Sequence, residues 1–178
     1  MARQPFDADA ILAAIARGER SCGDFDMRID RAGTWHYRGS PIGRLPLVKL
    51  FATVLRRGPD GGYWLVTPVE QGRVEVEDVP FVAVELVAEG LGRARTLRLR
   101  TNLDEWVTLD ALHPLRLEPG EDGAEIPYLH VRDRLDARVA RSVFYHLVEL
   151  AEPAGEDDNG TLGVWSAGQF FPLGRSEP

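Results

Sequence analysis

The chain has 178 residues, of which 44% are hydrophobic, and its four Trp, four Tyr and seven Phe supply a real core, so a disordered chain is excluded. Its 28 acidic against 21 basic residues leave a net charge of −7, which counts against wrapping duplex nucleic acid through phosphate contacts. The single cysteine, Cys22, excludes an internal disulfide and a thiolate metal cluster, and no run of 18 apolar residues is present to cross a membrane.

In chain order, residues 7 to 17 predict a short amphipathic helix, with Asp7 as cap and Ile11, Leu12 and Ile15 on one face. Phe25, Met27 and Ile29 then alternate with Asp24, Asp26, Arg28 and Asp30, the pattern of a strand buried on one side. Arg31-Ala32-Gly33 makes a turn, and Trp35 and Tyr37 alternate with His36 and Arg38 on the returning strand. After a Gly-Ser-Pro-Ile-Gly corner, Leu47, Leu50, Phe51, Val54 and Leu55 recur at helical spacing. Gly58-Pro59-Asp60-Gly61-Gly62 stops that helix, and YWLVTPV returns to extended chain.

The second half repeats the order. Leu97 and Leu99 alternate with Arg98 and Arg100, residues 102 to 105 turn, and Trp106 to Leu109 return. A longer excursion follows, and then Leu135, Val139, Val143, Leu147 and Leu150 predict a second amphipathic helix, ended by Asp157-Asp158-Asn159-Gly160. Extended chain resumes at GVWSAGQFFPL. Trp35 matches Trp106 and Trp64 matches Trp165 in this scheme, as core anchors. The expected fold is therefore α+β, with duplicated hairpin-helix-strand units forming two mostly antiparallel subdomains, residues 1–79 and 80–178.

Phosphate loops, dinucleotide fingerprints, nucleophile elbows and zinc-protease motifs are missing from the sequence, and His36, His113, His130 and His146 lack metal-ligand spacing. Neither a metal nor a cofactor is expected. The corner before the first helix draws the most interest. Pro46 suits the first helical position, Leu45 cannot cap, and free amides at a helix start attract anions. Arg38, Ser40, Arg44 and Lys49 surround it. In the second half, Asp133 caps its own predicted helix with Asp136 three residues on, and Arg134, Arg138 and Arg141 share a face.

The runs CGDFDMRIDRAGTWHYRGSPIGRLPLVKLF, GGYWLVTPVEQGRVEVEDVPFVAVEL and VRDRLDARVARSVFYHLVELA resemble the bacterial "domain of unknown function" family numbered 1285, over residues 20 to 173. The resemblance implies a duplicated α+β arrangement with a pleckstrin-homology-like C-terminal half. It further implies a nucleotide-like ligand held between the halves in signalling. Carried onto this sequence, the site comprises Arg38, Ser40, Arg44, Lys49, Thr67, Glu70, Arg132 and Arg138. The expected function is thus a cytoplasmic protein that binds a small anionic, nucleotide-like ligand without catalysis. The alternatives are a protein-interaction adaptor, using Phe170, Phe171 and Leu173 if exposed, and a phosphate-compound hydrolase relying on Glu70 or the acids of GRVEVEDVP.

Overall fold

The computed structural model describes residues 23–121, 123–155 and 160–175, together with Ala13 and Arg17. The leading helix expected over residues 7 to 17 lies outside the described residues. The chain divides into two compact units, one running to Pro80 and including Asp133–Leu135, the other formed by Phe81–Arg132 and Asp136–Pro178.

The first unit is built on a six-stranded sheet of β1 (Gly23–Ile29), β2 (Trp35–Tyr37), β3 (Ser40–Pro41), β4 (Leu55–Arg57), β5 (Tyr63–Val66) and β6 (Gln71–Val76). Its order is β3-β2-β1-β6-β5-β4, and every neighbouring pair is antiparallel except the central one, β1 with β6. Alternation decides the faces: Met27, Ile29, Trp35 and Val74 are buried, while Arg28, His36, Arg73 and Glu75 point the other way. Helix α1 (Leu45–Thr53) lies on the apolar face, where Phe51 stacks on Trp35 with ring centroids 6.3 Å apart.

That helix is rotated from the stripe expected of it. Val48 and Ala52 are its buried residues, Leu50 is 61% exposed, and Leu55 has already passed into β4. The preceding corner also differs, since it contains a hairpin. Tyr37 pairs with Ser40 across Arg38 and Gly39, both with positive φ (49° and 76°), as a two-residue turn of the type I′ requires.

The second unit repeats this topology. β7 (Phe81–Glu89), β8 (Thr96–Thr101), β9 (Trp106–Thr108), β10 (Leu115–Pro119), β11 (Glu125–Arg132) and β12 (Leu135–Val139) form a sheet ordered β10-β11-β12-β7-β8-β9. Again first and last strands, β7 and β12, meet in parallel at the centre. Each sheet is two three-stranded meanders joined along their inner strands, so the halves are duplicated in architecture. The finer register differs from the expected one. The strand-strand-helix scheme matched a helix carrying Leu47 to Leu55 with one carrying Leu135 to Leu150, but residues 135 to 139 are a strand, and helix α2 (Arg141–Glu149) starts later. Asp133 is consequently a turn residue with φ 47° and not a cap, while Asp136 is buried in β12. Arg134, Arg138 and Arg141 share no helix face, because only Arg141 is helical.

The tryptophans do not correspond either. Trp35 is on β2, whereas Trp106 is on β9, the third strand of its sheet, and is 44% exposed beside Arg98 and Arg100. A third sheet of β13 (Glu152–Pro153), β14 (Thr161–Ser166) and β15 (Gln169–Arg175) completes this unit, with α2 packed on β7 and β14. Trp165 belongs to β14 and meets Phe170 edge-on at 5.3 Å. Phe171 and Leu173 are buried there, so the exposed apolar end on which the adaptor reading depended is absent.

Candidate functional site

The polar face of the first sheet carries a cleft of about 860 Å³, within the range of small-molecule sites. Its floor is formed by Asp24, Asp26 and Arg28 of β1, His36 of β2, and Arg73 and Glu75 of β6. The loop at Asp60–Gly62 and Tyr63 form one wall, and Gly39 of the I′ turn another.

Local sequence explains each position. The β1–β6 register shifts between Asp24 and Met27, where two β1 residues, Phe25 and Asp26, have no partner on β6, and Asp26 has φ 50°. A bulge of this kind re-aims a side chain, and Asp is among the few residues that tolerate the left-handed backbone. Asp24 Oδ1 accepts the Asp26 amide at 2.8 Å, and the Asp26 carbonyl accepts the Arg38 amide at 2.9 Å, which fixes the bulge. On the opposite wall, the Gly61 amide donates to the Gly58 carbonyl at 3.0 Å, with Pro59 in the turn. Asp60 then accepts the Gly62 amide at 3.1 Å and is held at the rim.

The charges on the floor are placed unusually. Asp24 and Arg73 are direct Cα partners across the parallel pair, as are Arg28 and Glu75. Opposite charges so placed normally attract across strands. Here, neither pair forms an ion pair. Arg28 turns to Glu77, and Arg73 lies over the Trp64 ring at 5.8 Å without a carboxylate partner among the described residues. His36 is held from the side: its Nε2 is 2.9 Å from Asp30 Oδ2, and its Nδ1 is buried with no hydrogen-bond partner among the described residues. Burial alone would raise the Asp30 pKa. The His36 hydrogen bond, the Thr34 and Ala32 amides and attraction to the imidazole outweigh it and hold the carboxyl below its ordinary value.

None of the eight residues expected to form the site lines this cleft. Arg38 and Ser40 flank Gly39 in the hairpin turn, both exposed, with the Arg38 guanidinium 5.1 Å over Tyr37. Arg44 is the N-cap of α1 and offers no side-chain cap; Leu45 is the first helical residue and Pro46 the second. The amides of Leu47 and Val48 both donate to the Arg44 carbonyl, at 3.0 and 3.2 Å, and Pro46 has no amide. The Arg44 and Leu45 amides are what remain at that helix start, a thin basis for anion capture. Lys49 is half-buried on α1.

Thr67 and Glu70 are brought together, but by the β5–β6 turn: Thr67 Oγ1 donates to the Glu70 carbonyl at 2.8 Å and accepts its amide at 3.0 Å. Arg132 and Arg138 stand on adjacent strands of the second sheet. Arg132 Nε is 3.4 Å from Glu105, with its guanidinium 5.5 Å over Phe81, and Arg138 is half-buried opposite Val82. The cleft residues were visible in sequence only as the polar positions of β1 and β2; nothing local pointed to Arg73 and Glu75 as their neighbours. Among the described residues, no group of three or more His, Cys, Asp or Glu is placed to hold a metal ion. Among the described residues, no helix is long and apolar enough to cross a membrane.

With the geometry in place, comparison with known proteins defines the class. The chain belongs to the DUF1285 family: the model of its N-terminal domain, a domain of unknown function, matches residues 19–79, and that of its C-terminal domain, from a protein of unknown function, matches residues 80–173. A DUF1285 family protein of Silicibacter pomeroyi DSS-3, known from a crystal structure, is 39% identical with a TM-score of 0.78, covering 92% of this chain and 94% of that one. A second, from Shewanella baltica OS155, is 27% identical with a TM-score of 0.53, over 69% of this chain and 90% of that one. No curated protein matches.

Proposed function

We propose that this chain is a cytoplasmic binding protein that holds a small molecule in the cleft of its first unit without turning it over. The ligand is a nucleotide-like or other phosphate-bearing compound whose occupancy serves signalling, and the pleckstrin-homology-like character expected of the second half belongs to the same reading. The observation that carries it is the cleft itself, with Arg73 displayed on Trp64 and free of a carboxylate partner among the described residues. A guanidinium in that state is a ready partner for an anion. The test is a thermal-shift screen against linear and cyclic nucleotides, repeated on Arg73→Ala. Stabilisation of the parent protein that disappears in the variant supports the reading. Stabilisation that persists removes the cleft from it.

A further inference from the structure

We infer that the cleft of the first unit takes a zwitterion: a small molecule with a protonated amine and a single anionic group, carboxylate or phosphate monoester, a few bonds apart. This rests on the reading of the cleft as a small-molecule site and changes the ligand proposed for it from a phosphate-bearing compound to a zwitterion with either anion.

The inference comes from charges that are adjacent yet kept apart. Asp24 and Arg73 face each other as Cα partners on strands about 4.8 Å apart, near enough to pair. Each is instead engaged elsewhere, Asp24 by the Asp26 amide and Arg73 by the Trp64 ring. The second such pair, Arg28 and Glu75, is also unmade, because Arg28 is drawn to Glu77. The cleft therefore presents one guanidinium and several carboxylates that have no ionic partner among the described residues. Asp26, which also lines the cleft, adds to them from a left-handed backbone that few residues with a Cβ adopt.

A ligand bridging these groups places its anion on Arg73 and its ammonium between Asp24 and Asp26. It then forms the cross-strand pairing that the protein leaves unmade. A purely anionic ligand meets four lining carboxylates, Asp24, Asp26, Asp60 and Glu75, and a polyphosphate meets them with several charges. A simple amine leaves Arg73 unanswered. A zwitterion is the class that satisfies both.

The experiment is amide chemical-shift perturbation on the intact chain, titrated to millimolar concentration with named probes. O-phosphoethanolamine and γ-aminobutyrate carry both charges; ethanolamine and inorganic phosphate carry one each; AMP represents a nucleotide. At least one zwitterion should bind at least ~10-fold more tightly than either single-charge probe, a difference of about 1.4 kcal/mol. Arg73→Gln and Asp26→Asn should each remove that advantage, the asparagine keeping the left-handed backbone so that the bulge survives. The phosphate and carboxylate probes distinguish which anion is read. If ethanolamine or phosphate alone binds as well as the zwitterions, or if their advantage survives both substitutions, the inference is wrong. If AMP binds through Arg73 and neither zwitterion binds, the cleft reading stands and the zwitterion assignment falls. If no probe perturbs the cleft, both fall.

Discussion

The hydroxyl of Ser166 donates to the carbonyl of Leu109 at 2.6 Å, in the fully buried interior of the second unit. The same oxygen accepts the Leu97 amide at 2.9 Å, so one side chain from a strand of the small sheet satisfies a backbone group of β8 and another just past the end of β9. Ser166→Ala orphans both and is expected to cost about 1–3 kcal/mol. Urea denaturation of the intact chain gives the value, and a loss near zero would mean that water replaces the hydroxyl.

Arg95, 7% exposed, ties the end of α2 to β13: it donates to the Leu150 carbonyl at 2.8 Å and to Glu152 at 2.9 Å. Two donors at fixed spacing suit a guanidinium and not an ammonium. Arg95→Lys should therefore recover little of the roughly 1–3 kcal/mol lost in Arg95→Ala. The comparison of the two variants by thermal unfolding decides it.

Acid should expose two carboxylates of similar design. Asp30 receives His36 and the Ala32 and Thr34 amides; Asp110 receives the His113 ring and the Leu112 and His113 amides. In both, burial pushes the pKa up and these bonds more than offset it, so each group sits below its ordinary 3.8. A depressed folded pKa contributes stability that is complete above the unfolded value and is lost as pH falls from about 3.8 through the folded value. Asp30→Asn and Asp110→Asn should flatten the acid limb of the stability profile below pH ~4. An unchanged limb in the double variant would assign acid sensitivity to other carboxylates.

Two glycines are expected to rank differently on substitution. A Cβ at Gly163 would run into the Phe171 carbonyl and the Phe170 ring, while one at Gly72 meets only the side chain of Phe25. Backbone cannot yield as a ring can, so Gly163→Ala should destabilise by about 1–3 kcal/mol and Gly72→Ala by less. Equal midpoints in urea would contradict the ranking.

Hairpins were legible because their signals are local: Leu97 and Leu99 alternate with arginines, and the β8–β9 turn follows at once. The stretch from Leu135 was misread because a spacing of four belongs to both periods. Leu135 and Val139 satisfy a helix, but with Ala137 they also line one face of a strand, and Ala137 is fully buried. Trp106 was expected inside on size alone, yet its ring lies outside between Arg98 and Arg100. The cleft escaped for another reason. It depends on a bulge at Asp26 and on a parallel pairing that sets Asp24 beside Arg73, and no local spacing encodes either.

That parallel pairing has a consequence for how each sheet is assembled. Its outer strands pair with sequence neighbours, but the central pairs, Gly23 with Gly72 and Ala137 with Phe81, join residues about fifty apart, the costliest loops to close. The middle of each sheet, ordinarily its most secure part, is therefore a seam closed over its longest loop, and the floor of the cleft lies across one of them. An occupant touching both Asp24 and Arg73 would grip the two edges of that seam and act as a clasp on the folded unit.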